Sequence, residues 1–128
     1  MEYYFSKTIT ASFDEAIART TEVLKTEGFG LISDIDMQAK LKEKLGVDFK
    51  KYRILGACNP AYAYKALQAE EKIGTMLPCN ILVIDRADGK VEIAAVNPIA
   101  SMMAIDNPLI EPIAKEVTEK LQKVISAL

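Results

Sequence analysis

At 128 residues the chain is long enough for one domain with its own core and too short for two, so we expect a single domain over residues 1–128. Half of the residues are apolar and 27% are charged, which excludes an intrinsically disordered chain. The net charge of −2 argues against the basic surface that binding to nucleic acid requires, and no apolar run approaches the roughly 20 residues that span a bilayer. We therefore expect neither nucleic acid nor a membrane as a partner.

The first two predicted elements are a strand and a helix. Residues 2–10 alternate between the two sides of an extended chain and are rich in aromatic and β-branched side chains, which is typical of a strand. Ser12 and Glu15 have the spacing of a capping box, in which the serine hydroxyl accepts from the N–H of the glutamate. Apolar residues then recur at helical spacing until Gly28, a residue able to take the positive φ that ends a helix.

A second strand, a short helix and a third strand follow. Residues 29–36 and residues 51–58 have the composition of strands. Between them, Asp36 is placed to cap a short helix that ends at Gly46. The first half of the chain therefore alternates strands with helices.

Asparagine–proline pairs mark three further helix starts. They are Asn59-Pro60, Asn97-Pro98 and Asn107-Pro108. Asparagine suits the N-cap, and proline suits the first helical position because its missing N–H would have had no partner there. We expect a helix after the first pair, a short helical turn after the second and the terminal helix after the third. Residues 70–78, which contain two breakers, are predicted to be a loop.

The remaining strands form a hairpin. Residues 79–85 and 90–96 are apolar runs on either side of an Asp88-Gly89 turn, which is a strong hairpin signal. The terminal helix carries one apolar face. Its members are Ile113, Val117, Leu121, Val124 and Leu128. The element order β-α-β-α-β-α-β-β-α predicts an α+β fold: a mostly antiparallel five-stranded sheet with helices packed on one face.

Much of the usual catalytic and cofactor-binding machinery is absent from the sequence. The chain has no histidine, which excludes a Ser-His-Asp or Cys-His scheme within one chain, and neither common Gly-rich phosphate loop occurs. Two thiolates suit a soft ion such as Cu(I), but they cannot complete a tetrahedral zinc site without carboxylates or a second chain. We therefore assign no metal site, and the sequence identifies no cofactor.

The two cysteines occur in related settings. Cys58, Asn59 and Pro60 follow the third strand, whereas Cys79 and Asn80 begin the fourth. If these strands are antiparallel neighbours, the end of one and the start of the other lie at the same edge of the sheet, so the thiols face a common region. We predict that these five residues form a ligand-binding site.

Cys58 has a second reason for attention. It precedes the start of a helix, where unpaired N–H groups and the helix dipole favour a thiolate. The alternative is that both cysteines are packed as small hydrophobic residues and that Asn59 is only a cap. Both interpretations stay open at this point.

Several segments together resemble the domain-of-unknown-function 302 family. They are residues 12–16, 24–30, 54–60, 66–67 and 77–80. The resemblance runs over nearly the whole chain, and the motifs Gly-Ala-Cys-Asn-Pro and Leu-Pro-Cys-Asn are fairly specific. It implies a compact α+β fold similar to a single repeat of TATA-binding protein, usually dimeric, and no settled activity. Likeness of fold gives no reason to expect DNA binding, because function belongs to sites.

Three functions remain under consideration. The preferred one is a small binding or thiol-redox module whose Cys58/Cys79 edge holds a small-molecule ligand. The others are an interaction protein with no catalytic site and a thiol-dependent enzyme that uses Cys58 as nucleophile. The lack of histidine weighs against the enzyme, since another side chain would have to act as base.

The sequence also allows expectations for the cellular location and the oligomeric state of the protein. The first ten residues lack the basic and apolar regions of a signal peptide, and two cysteines in such a chain are expected to be thiols, so we expect a cytoplasmic protein. A homodimer is expected from the family resemblance and from the aromatic strand around Tyr3, Tyr4 and Phe5, which would be a sheet edge that needs cover.

Overall fold

Five strands form one antiparallel sheet in the computed structural model, which describes residues 1–128. The strands are β1 (Tyr4–Thr10), β2 (Gly30–Asp36), β3 (Tyr52–Cys58), β4 (Cys79–Asp85) and β5 (Lys90–Val96). Their order across the sheet is β1-β5-β4-β3-β2, and each neighbouring pair is antiparallel. The predicted α+β fold is confirmed, and β1 lies at an edge. The likeness to a TATA-binding protein repeat stays a prediction.

Five α-helices and one 3-10 helix connect and cover the strands. They are α1 (Phe13–Thr26), α2 (Met37–Leu45), α3 (Pro60–Ala69), α4 (Pro98–Ser101) and α5 (Ile110–Ala127), with the 3-10 helix at Glu71–Met76. Helix α1 packs against β2, β4 and β5, helix α5 packs against β1 and β5, and the two helices pack against each other. No helix is both long enough and apolar enough to cross a membrane.

The predicted signals at the two ends of α1 act as expected. The Ser12 hydroxyl oxygen accepts a hydrogen bond from the Glu15 N–H at 3.1 Å. At the other end Gly28 has a φ of +85°, and the Phe29 N–H donates back to the Leu24 carbonyl at 3.0 Å. This turn sends the chain directly into β2, which runs back along the sheet.

Two segments differ from the sequence prediction. Residues 70–78 include a 3-10 helix rather than only a loop, because Ile73 is drawn into a small apolar cluster in which it is 1% exposed. Helix α5 begins at Ile110, three residues after Asn107, whose side chain accepts from the Leu109 N–H at 3.0 Å. The amide nitrogen of Asn107 donates to the Ala69 carbonyl at 2.9 Å, so this residue joins α3 to the start of α5.

The main core lies between one face of the sheet and the helices α1 and α5. Side chains alternate along each strand, so Leu55, Ile81 and Ile93 point inward and are fully buried. Leu24 of α1 and Leu121 of α5 meet them from the opposite side. The terminal apolar face predicted from sequence thus supplies much of this core. The core ends where β3 and β4 reach their Cys58/Cys79 edge.

Candidate functional site

The pairing of β3 with β4 brings the two cysteines to one end of the sheet. Ala57 lies directly opposite Cys79, so Cys58 is the next residue along its strand. The antiparallel arrangement on which the predicted site depends is therefore present. Both cysteines are free thiols, Cys79 buried and Cys58 half-buried.

An apolar cavity of about 240 Å³ opens at this end of the sheet, between the strands and the helices α3 and α5. Fourteen of its 17 lining residues are hydrophobic, and both cysteines are among the lining residues. The wall also includes Phe29, Ile32, Asn59, Tyr62, Ala63, Ala66, Leu67, Leu77, Pro78, Met102, Ile113, Ala114 and Val117. Such a wall suits an apolar ligand, because a polar group enclosed there would lose its hydrogen bonds to water.

The environment of Cys79 keeps its thiol protonated. Burial, with a smaller contribution from nearby Cys58, raises the pKa of Cys79 from 9.0 to about 11. The contribution from Cys58 also means that the two thiols lie close enough for their charges to interact. Cys79 is therefore a weakly polar part of the cavity wall at neutral pH, and Cys58 is the more accessible thiol.

Asn59 has a structural task that the sequence did not reveal. It occupies the N-cap position of α3, but its side chain makes no capping hydrogen bond. Instead its amide nitrogen donates to the Glu27 carbonyl at 3.1 Å, which fastens the end of α1 to the start of α3. The expectation that Asn59 caps the helix is thus wrong, because a tertiary partner competes for the side chain.

Two of the five predicted site residues lie away from the cavity. Asn80 follows Cys79 in β4 and is exposed on the opposite face of the sheet, because side chains alternate along a strand. Pro60 is exposed at the start of α3 and does not line the cavity. The cavity thus brings together Cys58, Cys79 and Asn59. The peptide bond between Leu77 and Pro78, just before β4, is cis.

Sequence reasoning missed the residues that helices contribute to the cavity. Ala63 and Ala66 of α3, Ala114 of α5 and Met102 after α4 also form part of the cavity wall. Their positions depend on how α3 and α5 pack, which no local motif encodes. The run of alanines in α3 was the available signal, because small side chains on a packed helix leave room for a cavity.

Charged residues gather beside Tyr62, at the rim of the cavity. A hydrogen bond to the Glu116 carboxylate raises the pKa of the Tyr62 phenol, with smaller contributions from burial and from the charge of Glu116. The ammonium groups of Lys65 and Lys120 lie 5.6 and 5.9 Å from the centre of the tyrosine ring. Lys120 is also 3.9 Å from the Glu27 carboxylate. Positive and negative groups are balanced here, so the rim favours neither sign of ligand charge.

No group of three or more histidine, cysteine, aspartate or glutamate side chains is placed to hold a metal ion. Cys58 and Cys79 would have to bind a metal with at most two thiolates of their own. The arrangement is thus better suited to apolar contact or to thiol chemistry than to a tetrahedral metal centre.

Comparison with known proteins gives a family and a fold. A sequence model described as "Domain of unknown function DUF302" matches residues 5–128. The crystal structure of an uncharacterized conserved protein DUF302 from Bacillus stearothermophilus superimposes with a TM-score of 0.90 at 28% sequence identity, over 98% of each chain. No curated protein matches the sequence. These likenesses support the fold and carry no activity.

Proposed function

We propose a function from the premise that the chain belongs to the DUF302 family, which has no assigned activity. The proposal is that the protein binds a small apolar ligand in the cavity beside Cys58 and Cys79. The observation that carries the proposal is the cavity itself, which is open at the surface and almost entirely apolar. Binding sites of this kind are concave and mostly hydrophobic, with a few polar groups that orient the ligand. Here the cysteine thiols and the Tyr62 phenol are the groups available for orientation.

The size and the lining of the cavity limit the ligand. A volume of about 240 Å³ lies below the roughly 300–1,000 Å³ typical of sites for drug-sized molecules, so the cavity alone suits a compact molecule. Water would bind weakly in such an apolar cavity, because an ordered water molecule needs two to four polar groups as hydrogen-bond partners. An uncharged hydrocarbon-like group is therefore the expected occupant.

Binding can be tested by titrating 1-hexanol into the protein and following the methyl resonances of the methionines by NMR. Met102 is the methionine that lines the cavity, so we expect its signal to shift with saturation. Ala63→Met would fill the cavity and should weaken binding at least tenfold, since the ligand could no longer enter.

The matched control is Ala61→Met, which adds the same side chain to α3 at an exposed position outside the cavity. It should bind 1-hexanol as the wild type does. If 1-hexanol fails to bind, or if Ala63→Met and Ala61→Met bind it equally well, the proposed function is wrong.

A thiol-redox role is the second candidate, and the closeness of Cys58 and Cys79 favours it. Both free thiols line the same cavity, and the charge of Cys58 contributes to the raised pKa of Cys79, so the two groups lie near one another. Glutathione disulfide would oxidise the pair by exchange: Cys58 attacks and releases one glutathione thiol, then Cys79 displaces the second. Mass spectrometry would show a protein lighter by two hydrogens. A stable mixed disulfide on Cys58 alone would contradict this candidate.

The proposal includes a cytoplasmic location. Free thiols persist where glutathione and thioredoxin keep cysteines reduced, and both cysteines here are free. Fractionation of cells that express the native chain would test this location, and recovery outside the cytoplasm would contradict it.

A further inference from the structure

The apolar cavity has a neighbour with which it shares a wall. A surface cleft of about 620 Å³ lies between the segment that follows α4 and the first turns of α5. Met102 and Ala114 line both spaces, and no other residue does. These two side chains therefore separate the cavity from the cleft.

One small side chain and one flexible side chain form this shared boundary. Ala114 has no side-chain atom beyond Cβ, so it contributes little bulk. Met102 is unbranched and has three rotatable side-chain bonds, which let methionine adapt to irregular spaces. It follows the last residue of α4, where the backbone is held by its N–H bond to the Pro98 carbonyl at 2.9 Å. Its side chain is 9% exposed and packs with Ala114 in a small apolar cluster, so it occupies the boundary between the two spaces.

The two spaces differ in polarity. The cavity beside the cysteines is apolar, whereas the cleft carries Asp106, Glu111 and Lys115 along its sides. The cavity is slightly smaller than a typical ligand site, but the cavity and cleft together fall within the usual range of roughly 300–1,000 Å³. The combined space is apolar at its inner end and polar at its outer end.

We propose that the combined space binds a single-chain amphipathic molecule, with its aliphatic tail beside Cys79 and its polar head in the cleft, and that Met102 sets the chain length. This inference rests on the proposed function, because the tail occupies the same cavity. A linear chain fits the observations better than a compact ring system, since it can pass the narrow wall between Met102 and Ala114.

The test compares 1-hexanol, 1-octanol and 1-decanol by isothermal titration calorimetry. Burial of each added methylene strengthens binding roughly fourfold. We expect the wild type to bind 1-decanol at least tenfold more tightly than 1-hexanol. Met102→Ala should enlarge that ratio, because a long chain would no longer have to displace the methionine.

Two variants make the result specific. Leu109→Ala is the matched control, because Leu109 precedes α5, is 64% exposed and lines neither the cavity nor the cleft. It should leave the decanol-to-hexanol ratio unchanged. Ala114→Leu thickens the wall and should reduce the ratio toward one while 1-hexanol still binds.

The outcomes separate the two proposals. Suppose that 1-hexanol binds, that longer alcohols bind no more tightly and that Met102→Ala does not change this. The cavity and the cleft are then separate, so the inference is wrong although the proposed function stands. If no alcohol binds, the proposed function itself fails. If Leu109→Ala changes the ratio as much as Met102→Ala does, Met102 has no special role.

Discussion

Burial of the Cys79 side chain links the stability of the fold to pH. Below pH 9 the thiol is protonated in both the folded and the unfolded chain and contributes nothing to the pH dependence. Between pH 9 and about 11 the unfolded chain loses this proton while the folded chain keeps it, because burial raises the folded pKa from 9.0 to about 11. The free energy of unfolding should fall across this window by about 2–3 kcal/mol from this group alone.

Urea denaturation at several pH values would measure this loss. Lysines and tyrosines also titrate in the window, so the comparison is between the wild type and Cys79→Ala, in which the contribution should vanish. Cys58→Ala should keep most of the loss, since burial of Cys79 is its main cause. An equal fall in the wild type and in Cys79→Ala would contradict the argument.

Single residues also mark the limits of what the sequence can predict about the site. The proximity of Cys58 and Cys79 was predictable, because the end of one strand and the start of its antiparallel neighbour lie at the same edge of the sheet. Asn59 was predicted to be either a site residue or a cap of α3, and neither pattern predicts its actual partner, the Glu27 carbonyl, 32 residues away. Met102 carries no local signal at all. Its place in the wall follows from tertiary packing.

Among the elements, the hairpin between β4 and β5 follows most directly from its sequence. Asp88 and Gly89 have φ values of +53° and +74°, and the Lys90 N–H donates to the Ala87 carbonyl at 3.0 Å, as the Asp-Gly signal predicts. Gly89→Val should destabilise the fold by about 1–2 kcal/mol, because a β-branched residue resists positive φ. The change in the free energy of unfolding is measurable by urea denaturation.

Gly30→Val provides the control for this substitution. Gly30 lies in β2 without a positive φ, and a Cβ there would meet no atom within 4 Å. Valine suits an extended strand, so this variant should be as stable as the wild type or more stable. Equal losses at Gly89 and Gly30 would show that the turn conformation is not the cause.

The bounds of a strand or helix were predicted correctly where the residues at its own ends determine them. The bounds of β4 and β5 agree with the sequence prediction, because a turn of defined chemistry lies between two apolar runs. The start of α5 did not agree, since Asn107 bonds to α3 as well as to its own turn. The 3-10 helix also escaped prediction, because it depends on the burial of Ile73 against distant residues.

At the scale of the whole molecule, the two edges of the sheet differ. The β2 edge carries Asp34 and Asp36 and an irregularity between Leu31 and Ser33, features that discourage pairing with another chain. The β1 edge has Lys7 as its only charged residue and continues outward into Tyr3, which is 71% exposed. The outer sheet face beside β1 is also largely apolar, with Tyr4, Leu82, Ile84 and Ala94 around a shallow depression. An unprotected edge next to an apolar surface favours association there.

We therefore expect a homodimer formed through β1 and the adjoining outer face. Tyr3→Glu should weaken the dimer at least tenfold, because a carboxylate would be desolvated at the contact. Leu45→Glu on α2 is the matched control, since Leu45 is 70% exposed and lies on another element. Sedimentation equilibrium over a range of concentrations would measure both dissociation constants. A monomer at every concentration would refute the dimer, and equal weakening by the two substitutions would move the interface away from β1.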